Sequence, residues 1–300
     1  MRTRILCLLT SLVLFPTLTF AWNEQGHKTG GAIVYYFLKA NNRPVIDAVV
    51  KTLSYHPWYS TQWAPALSKR TGEEKEIELF MLASTFPDDA RGTNLGNGER
   101  PKWHYVDYPF VVPGKKVKGE EPRSPNAEEK IIELLKTLPL EADSAQRAID
   151  LCWLFHLIED THQPLHCASM FDPNHPEGDK GGNAVFIQIG HEQVQNLHHF
   201  WDAAPVADNE VPADKAWALI TGYHPAPTNK IDSAAVHSWI KDESLPLAIK
   251  YAYLNGKVNG YNNLPSVLDD AYEAKAKKIA EQRLLDSGYR LAKALIQIYR

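Results

Sequence analysis

Apolar positions along the chain recur mostly at helical spacing. Within residues 27–39, Ile33, Val34, Phe37 and Leu38 share one face. Pro44 opens a second helix that runs to Leu53. A third, from Glu73 to about Ser84, buries Ile77, Phe80 and Met81 and is expected to end before Pro87, which has no N–H to continue it. The Asp, Asn and Gly content of 86–100 predicts a surface loop, and WHYVDYPFVV after it predicts an extended segment. Asn126 with Glu129 forms a capping box at the head of AEEKIIELLKTL. The following helix, Ala145 to Gln163, is apolar nearly all round, the mark of a central buried helix whose few polar residues need a reason.

Beyond it, 171–183 is a Gly and Asp loop and AVFIQIG is the best strand candidate, with a small hairpin expected there. Helices are expected over 193–203, 213–221, 232–254 with a break at Pro246, and 266–299. There are no internal repeats or low-complexity tracts. The pattern predicts an all-α, multi-helix domain with one small β element.

The first residues depart from this pattern. Arg2 and Arg4 precede an apolar run from Ile5 to Leu18 that ends in Thr19-Phe20-Ala21, the form of a secretory signal peptide cleaved after Ala21. No later stretch approaches the roughly 18 apolar residues of a membrane span. Residues 22–300 are then expected to form a single domain without a membrane anchor, secreted or periplasmic. The absence of Asn-X-Ser/Thr sequons fits a bacterial source. The formal charge is −4, and loss of Arg2 and Arg4 makes it more negative. Such a surface argues against a protein that grips nucleic acid through many phosphate contacts, but not against metal ions gripping one phosphate. Cys7 leaves with the leader. Cys152 and Cys167, separated by a helix of roughly 17 Å, are expected to stay free thiols.

Candidate chemistry concentrates in HLIEDTHQPLH. His156 and Asp160 are four apart and leave one helix face together, whereas His166, beyond Pro164, is free to serve a different centre. A second His-X-X-X-Asp pair, His198 and Asp202, recurs in NLHHFWD. Imidazole and carboxylate suit zinc, and a carboxylate with two oxygens can bridge two ions. A lone pair of this kind is more often hydrogen-bonded core; the recurrence raises the metal reading.

Read in order, WNEQGH, FPDDAR, HYVD, HLIEDTHQPLH, GGN and NLHHFWD stand from Trp22 to Asp202. In these motifs the chain resembles the zinc-dependent single-strand nucleases of the S-one/P-one type. The resemblance implies the helical phospholipase C/P-one nuclease fold and three zinc ions. Asp88, His104 and His156 would hold one. Trp22, through a free amine and its carbonyl, and His27 would hold a second, with Asp160 bridging the two. His166, His198 and Asp202 would hold the third. It implies hydrolysis of single-stranded DNA and RNA, and of 3′-nucleotides, to 5′-phosphate products by a zinc-bridging hydroxide. Arg91 would stabilise the transition state. Tyr105 would stack on a base and Asp107 would bond its edge, against the alternatives that Tyr105 is core and Asp107 orients His104. Asn183 would organise the loop beside the metals. Glu159 stands where the family often has Gly and is expected at the rim. Cys152 and His162 are expected to be structural, and the segment after Asp202 to supply no site residue. No obligate protein partner is evident. Two other functions fit less well: a zinc phospholipase C, which usually has Glu where Asp202 stands, and a zinc-binding protein without catalysis.

Overall fold

The computed structural model describes residues 22–40, 42–96, 98, 100–225 and 230–300. The expected leader and its cleavage bond lie outside them. Helix α1 (Glu24–Lys39) is capped by Asn23, and α2 (Arg43–Leu53) carries Pro44 in its first turn. A short α3 (Ala64–Leu67) follows, then α4 (Gly72–Asp89), α5 (Ala127–Thr137) and α6 (Ser144–Asp160). After these come α7 (Leu197–Ala203), α8 (Pro212–Ile220), α9 (Ser233–Ser238), α10 (Leu245–Leu247) and α11 (Asp270–Ile298). The all-α expectation holds. Among the described residues, none of these helices is long and apolar enough to cross a membrane.

Helix α1 packs on α4, α8 and α11, and α4 packs on α6. The α1–α4 approach is close because Gly31 has no side chain: a Cβ there would lie 2.6 Å from the Phe80 carbonyl oxygen. The larger core joins Ile33, Leu38, Phe80, Phe155, Leu284 and Leu291. A smaller one gathers Leu165, Ile187, Leu197, Trp201 and Tyr253. The chain from Ile158 to Leu165 passes from the first core to the second.

Strands are few and short. β1 (Tyr108–Val111) pairs parallel with β2 (Ala168–Phe171), Tyr108 opposite Ala168. β3 (Phe186–Ile189) pairs antiparallel with β4 (Gln195–Asn196) as the hairpin pattern predicts, and on its other side parallel with β5 (Ser266–Leu268).

Several boundaries differ from expectation. Helix α4 runs through Pro87 to Asp89, so 86–89 is helix rather than loop. A proline near a helix end costs only the bond to the Ala83 carbonyl, and Phe86 and Pro87 are buried there. Helix α6 stops at Asp160, three residues early: Pro164 excludes a helical continuation, and His162 and Gln163 bond back three residues, to Glu159 and Asp160, in a tighter turn. WHYVDYPFVV begins in a 3₁₀ turn, Arg100–His104, before becoming extended. Residues 195–196 are strand, and α7 begins only after the Asn196 cap. At Pro246 no break occurs: π-helical turns over Trp239–Ser244 and Ala248–Ala252 flank α10, their wider ring accommodating a residue with no N–H. Residues 266–268 are strand rather than helix because α11 starts only where Asp269 caps the Tyr272 N–H.

Candidate metal centre

The end of α6 sets the geometry. His156 and Asp160 leave one face, as the four-residue spacing requires, and both are fully buried. The two oxygens of Asp160 face different groups. Oδ1 is 3.4 Å from His27 Nε2 on α1. Oδ2 is 3.2 Å from His104 Nδ1 and 3.3 Å from His156 Nε2. Asp88, at the end of α4, brings Oδ1 to 3.7 Å from both His104 Nδ1 and His156 Nε2. Had α4 ended before Pro87, Asp88 would hang in a loop; the extra turn carries it to the α6 histidine.

Each ring is aimed from behind. His156 Nδ1 donates to the Ser84 carbonyl at 2.8 Å, in the α4 turn that Pro87 loosens. His166 Nδ1 donates to the His104 carbonyl at 2.6 Å, and the Val106 N–H returns a bond to the His166 carbonyl at 2.8 Å. That exchange extends the β1–β2 pairing and ties the two halves of the site together. His198 Nδ1 donates to the Gly181 carbonyl at 2.6 Å. Gln163 Nε2 donates to Asp202 Oδ1 at 2.7 Å, leaving Oδ2 3.6 Å from His198 Nε2.

With Nδ1 occupied as donor on both His166 and His198, both Nε2 atoms are acceptors, and they face one another at 3.1 Å. Two lone pairs at that distance repel unless a cation lies between them. In the other group His27 Nε2 and Asp160 Oδ1 are buried without hydrogen-bond partners, and Asp88 Oδ1 meets only the Arg91 guanidinium from the protein's donors. The donor atoms form three sets whose members lie within 4.8 Å of one another: His27, His156 and Asp160; Asp88, His104 and His156; His166, His198 and Asp202. The eight residues, His156 being common to two sets, offer the imidazole nitrogen and carboxylate oxygen that suit zinc.

The electrostatics agree. Burial pushes His156 down to about 3 and holds His27, His104 and His166 well below the ordinary imidazole value. Burial raises Asp88 to about 6, against the pull of Arg91, and raises Asp160 and Asp202 well above the usual carboxylate range. Neutral imidazoles beside carboxylates that resist ionisation are a set that a divalent cation relieves on both counts.

Trp22 is fully buried, its ring N–H donating to the Glu159 carbonyl at 3.0 Å, and the Asn23 N–H bonds the Asp202 carbonyl at 3.2 Å. The N-terminal segment is thus pinned between the ends of α6 and α7. Arg91 pairs with Asp88 at 2.6 Å. It lines a cleft of about 510 Å³ with Tyr105, Asp107, Asn183, His166 and His198. Tyr105 therefore faces the cleft, and the ring of His104 bonds to Asp160 and His156 while Asp107 lines that same cleft. Asn183 Nδ2 donates to the Lys180 carbonyl at 2.8 Å, a loop-organising bond.

Three residues escaped sequence reasoning or were misplaced by it. Glu159 is not at the rim: it is fully buried, 2.6 Å from His27 Nδ1. An ionisable residue in an otherwise apolar helix was the available signal. Gln163 orients Asp202. The segment after Asp202 reaches the site from behind, as Ser244 Oγ donates to the Thr161 carbonyl at 2.7 Å.

The S1/P1 Nuclease family model matches residues 22–300. Endonuclease 4 of Arabidopsis thaliana is 29% identical over 172 residues, 50% of each chain, so this chain spans about half the length of that relative. Endonuclease 3 of the same plant is 24% identical over 269 residues, covering 78% of this chain and 81% of that protein. Nuclease S1 of Aspergillus oryzae is 23% identical over 313 aligned positions, 96% of each chain.

Proposed function

The chain belongs to the S1/P1 nuclease family, and from that membership and the donor set we propose that it is a zinc-dependent phosphodiesterase acting on single-stranded DNA and RNA. The reading includes 3′-nucleotidase activity, 5′-phosphate products, and export with removal of residues 1–21. The observation that carries it is Asp160, whose two oxygens face two sets of buried imidazole and carboxylate ligand atoms.

Asp88, His104, His156 and one oxygen of Asp160 would hold one zinc; His27, the other oxygen and the amine and carbonyl of a processed Trp22 would hold its neighbour. His166, His198 and Asp202 would hold the third. Closely paired zinc ions supply Lewis acidity and a water of near-neutral pKa. The remaining work falls to the chain. Arg91, turned into the cleft beside Asp88, places a fixed positive charge where a phosphate's equatorial oxygens gain charge. Tyr105 offers a ring on which a base stacks, and Asp107 an acceptor for its edge; both require a base turned out of a duplex. The concave cleft admits such a base.

Metal analysis of the purified protein, with digestion of matched single- and double-stranded oligonucleotides, tests this. Three zinc ions per chain, faster cleavage of the single strands, loss of rate in chelator and recovery with zinc are expected. Full hydrolysis in chelator, or release of phosphocholine from lipid without nucleic-acid cleavage, would overturn it.

A further inference from the structure

The buried carboxylate of Glu159 is held from three sides. Oε2 accepts from His27 Nδ1 at 2.6 Å, Oε1 accepts from Ser84 Oγ at 3.0 Å, and Gly30 leaves the space it occupies: a Cβ at Gly30 would lie 2.6 Å from Oε1. His156, His166 and His198 send their Nδ1 protons to backbone carbonyls, of Ser84, His104 and Gly181. His27 alone of these four sends its proton to a carboxylate.

The two acceptors differ in consequence. A carbonyl fixes a tautomer; a carboxylate fixes it and also adds negative charge, which strengthens the opposite nitrogen as a donor to metal. Here that nitrogen is His27 Nε2, unpartnered and 3.4 Å from Asp160 Oδ1. We infer that Glu159 is the positioning residue of the paired site, locking His27 with Nε2 toward Asp160 and making the ion held by His27 bind more tightly than its other ligands alone would. This rests on the proposal that His27 is a zinc ligand.

The surroundings leave Glu159 suited to this and little else. Its side chain is sealed from solvent, so it cannot touch a nucleic acid. Its own backbone carbonyl accepts the Trp22 ring N–H, so the same residue aims two members of one proposed ligand set, His27 through its side chain and Trp22 through its main chain.

Two variants separate charge from position. Glu159→Gln keeps the shape and an acceptor but removes the charge. Gly30→Ala keeps the charge but forces the carboxylate from its place. Zinc affinity of each ion is read by competitive chelator titration of the processed full chain, with thermal melts of the zinc-free forms alongside. In both variants one ion of the three is expected to weaken by about 10- to 100-fold while the other two, including that of His166, His198 and Asp202, keep their affinity. An unmodified protein that binds no zinc would refute the underlying ligand assignment. Three ions at unchanged affinity in both variants would overturn the role of Glu159 alone. Equal weakening of all three ions together with a lowered zinc-free melt would also overturn it, by making Glu159 a general packing residue.

Discussion

Asp107 shows how far one side chain can be read. Its backbone takes a positive φ of 57°, uncommon for a residue with a Cβ, which turns it out of the approach to β1 and into the cleft. Burial, and then the buried Asp179 carboxylate, raise its carboxyl to about 7, with Arg123 pulling the other way. Below that value it is protonated; above it, it is an anion able to accept from a base N–H. For a substrate whose base presents such a donor, KM is therefore expected to fall as pH rises through about 7. Asp107→Asn should remove that step while leaving the acid and alkaline limits of kcat in place. Steady-state kinetics across pH 6–8 on a guanosine 3′-phosphate substrate check it, and an unchanged KM profile in the variant would count against a base contact. Of the eight clustered side chains, His156, Asp160, His198 and Asp202 were legible because helical spacing is encoded locally and His166 because Pro164 frees it, whereas His27, Asp88 and His104 were legible only through the motif resemblance. The role of Glu159 was not legible, since its partner His27 lies 132 residues away: an ionisable residue in an apolar helix signals burial but does not name its partner.

Elements were legible where a periodic face ran long, as in α1, α6 and α11, and illegible where proline or a short strand intervened. Pro87 and Pro246 read as stops, yet both sit inside helical segments: at Pro87 the burial of Phe86 and of the proline itself outweighs one lost bond, and at Pro246 the flanking π-helical turns accommodate the missing N–H. Ser266–Leu268 was too short to show a period of two, and its partner β3 is remote in sequence. The aromatic segment between α2 and α4 shows packing that spacing could not predict. His56 stacks on Trp63 with ring centres 4.2 Å apart, meets the edge of Phe86 at 4.3 Å, and accepts from the Trp58 N–H through Nδ1. Burial lowers its pKa to about 3. The folded value lies below the unfolded one, so the neutral ring's contribution is complete above pH 6.5 and is lost progressively as pH falls toward 3. At pH 5 the loss is about 2 kcal/mol. His56→Asn retains an acceptor without titrating. Its stability deficit against the parent, measured by urea unfolding, should shrink by about 2 kcal/mol between pH 7 and pH 5. A deficit independent of pH would mean that His56 titrates normally.

At the scale of the molecule, the site is a turn between two cores, and what keeps that turn in place comes from the far end of the chain. Helix α11 delivers Arg283, fully enclosed, whose Nε donates to the His162 carbonyl at 3.3 Å and whose Nη2 donates to the Trp239 carbonyl and to Ser244 Oγ, while Nη1 pairs with Glu243. Two turns further on, Arg290 grips Glu243 with both Nη atoms at 2.7 and 2.8 Å and donates to His162 Nε2 at 2.7 Å. The ring of His162, whose Nδ1 donates to the Ile158 carbonyl, is therefore a strut between α6 and α11. Composition gave no hint of this, because an arginine in a charged amphipathic helix is ordinarily on the solvent side. Arg283→Met fills similar volume but leaves the His162 and Trp239 carbonyls without this donor. Glu243 keeps Arg290, so the loss stays at the lower end of that for a broken buried pair, about 3 kcal/mol. Because Arg283 touches none of the proposed ligands, the folded fraction should bind three zinc ions and turn over at nearly the parental kcat. Calorimetry, metal analysis and single-strand cleavage on one preparation check both halves. A parental melting temperature would show that the brace carries no stability. A lowered kcat at full zinc content would show that α11 shapes the metal centre itself as well as its foundation.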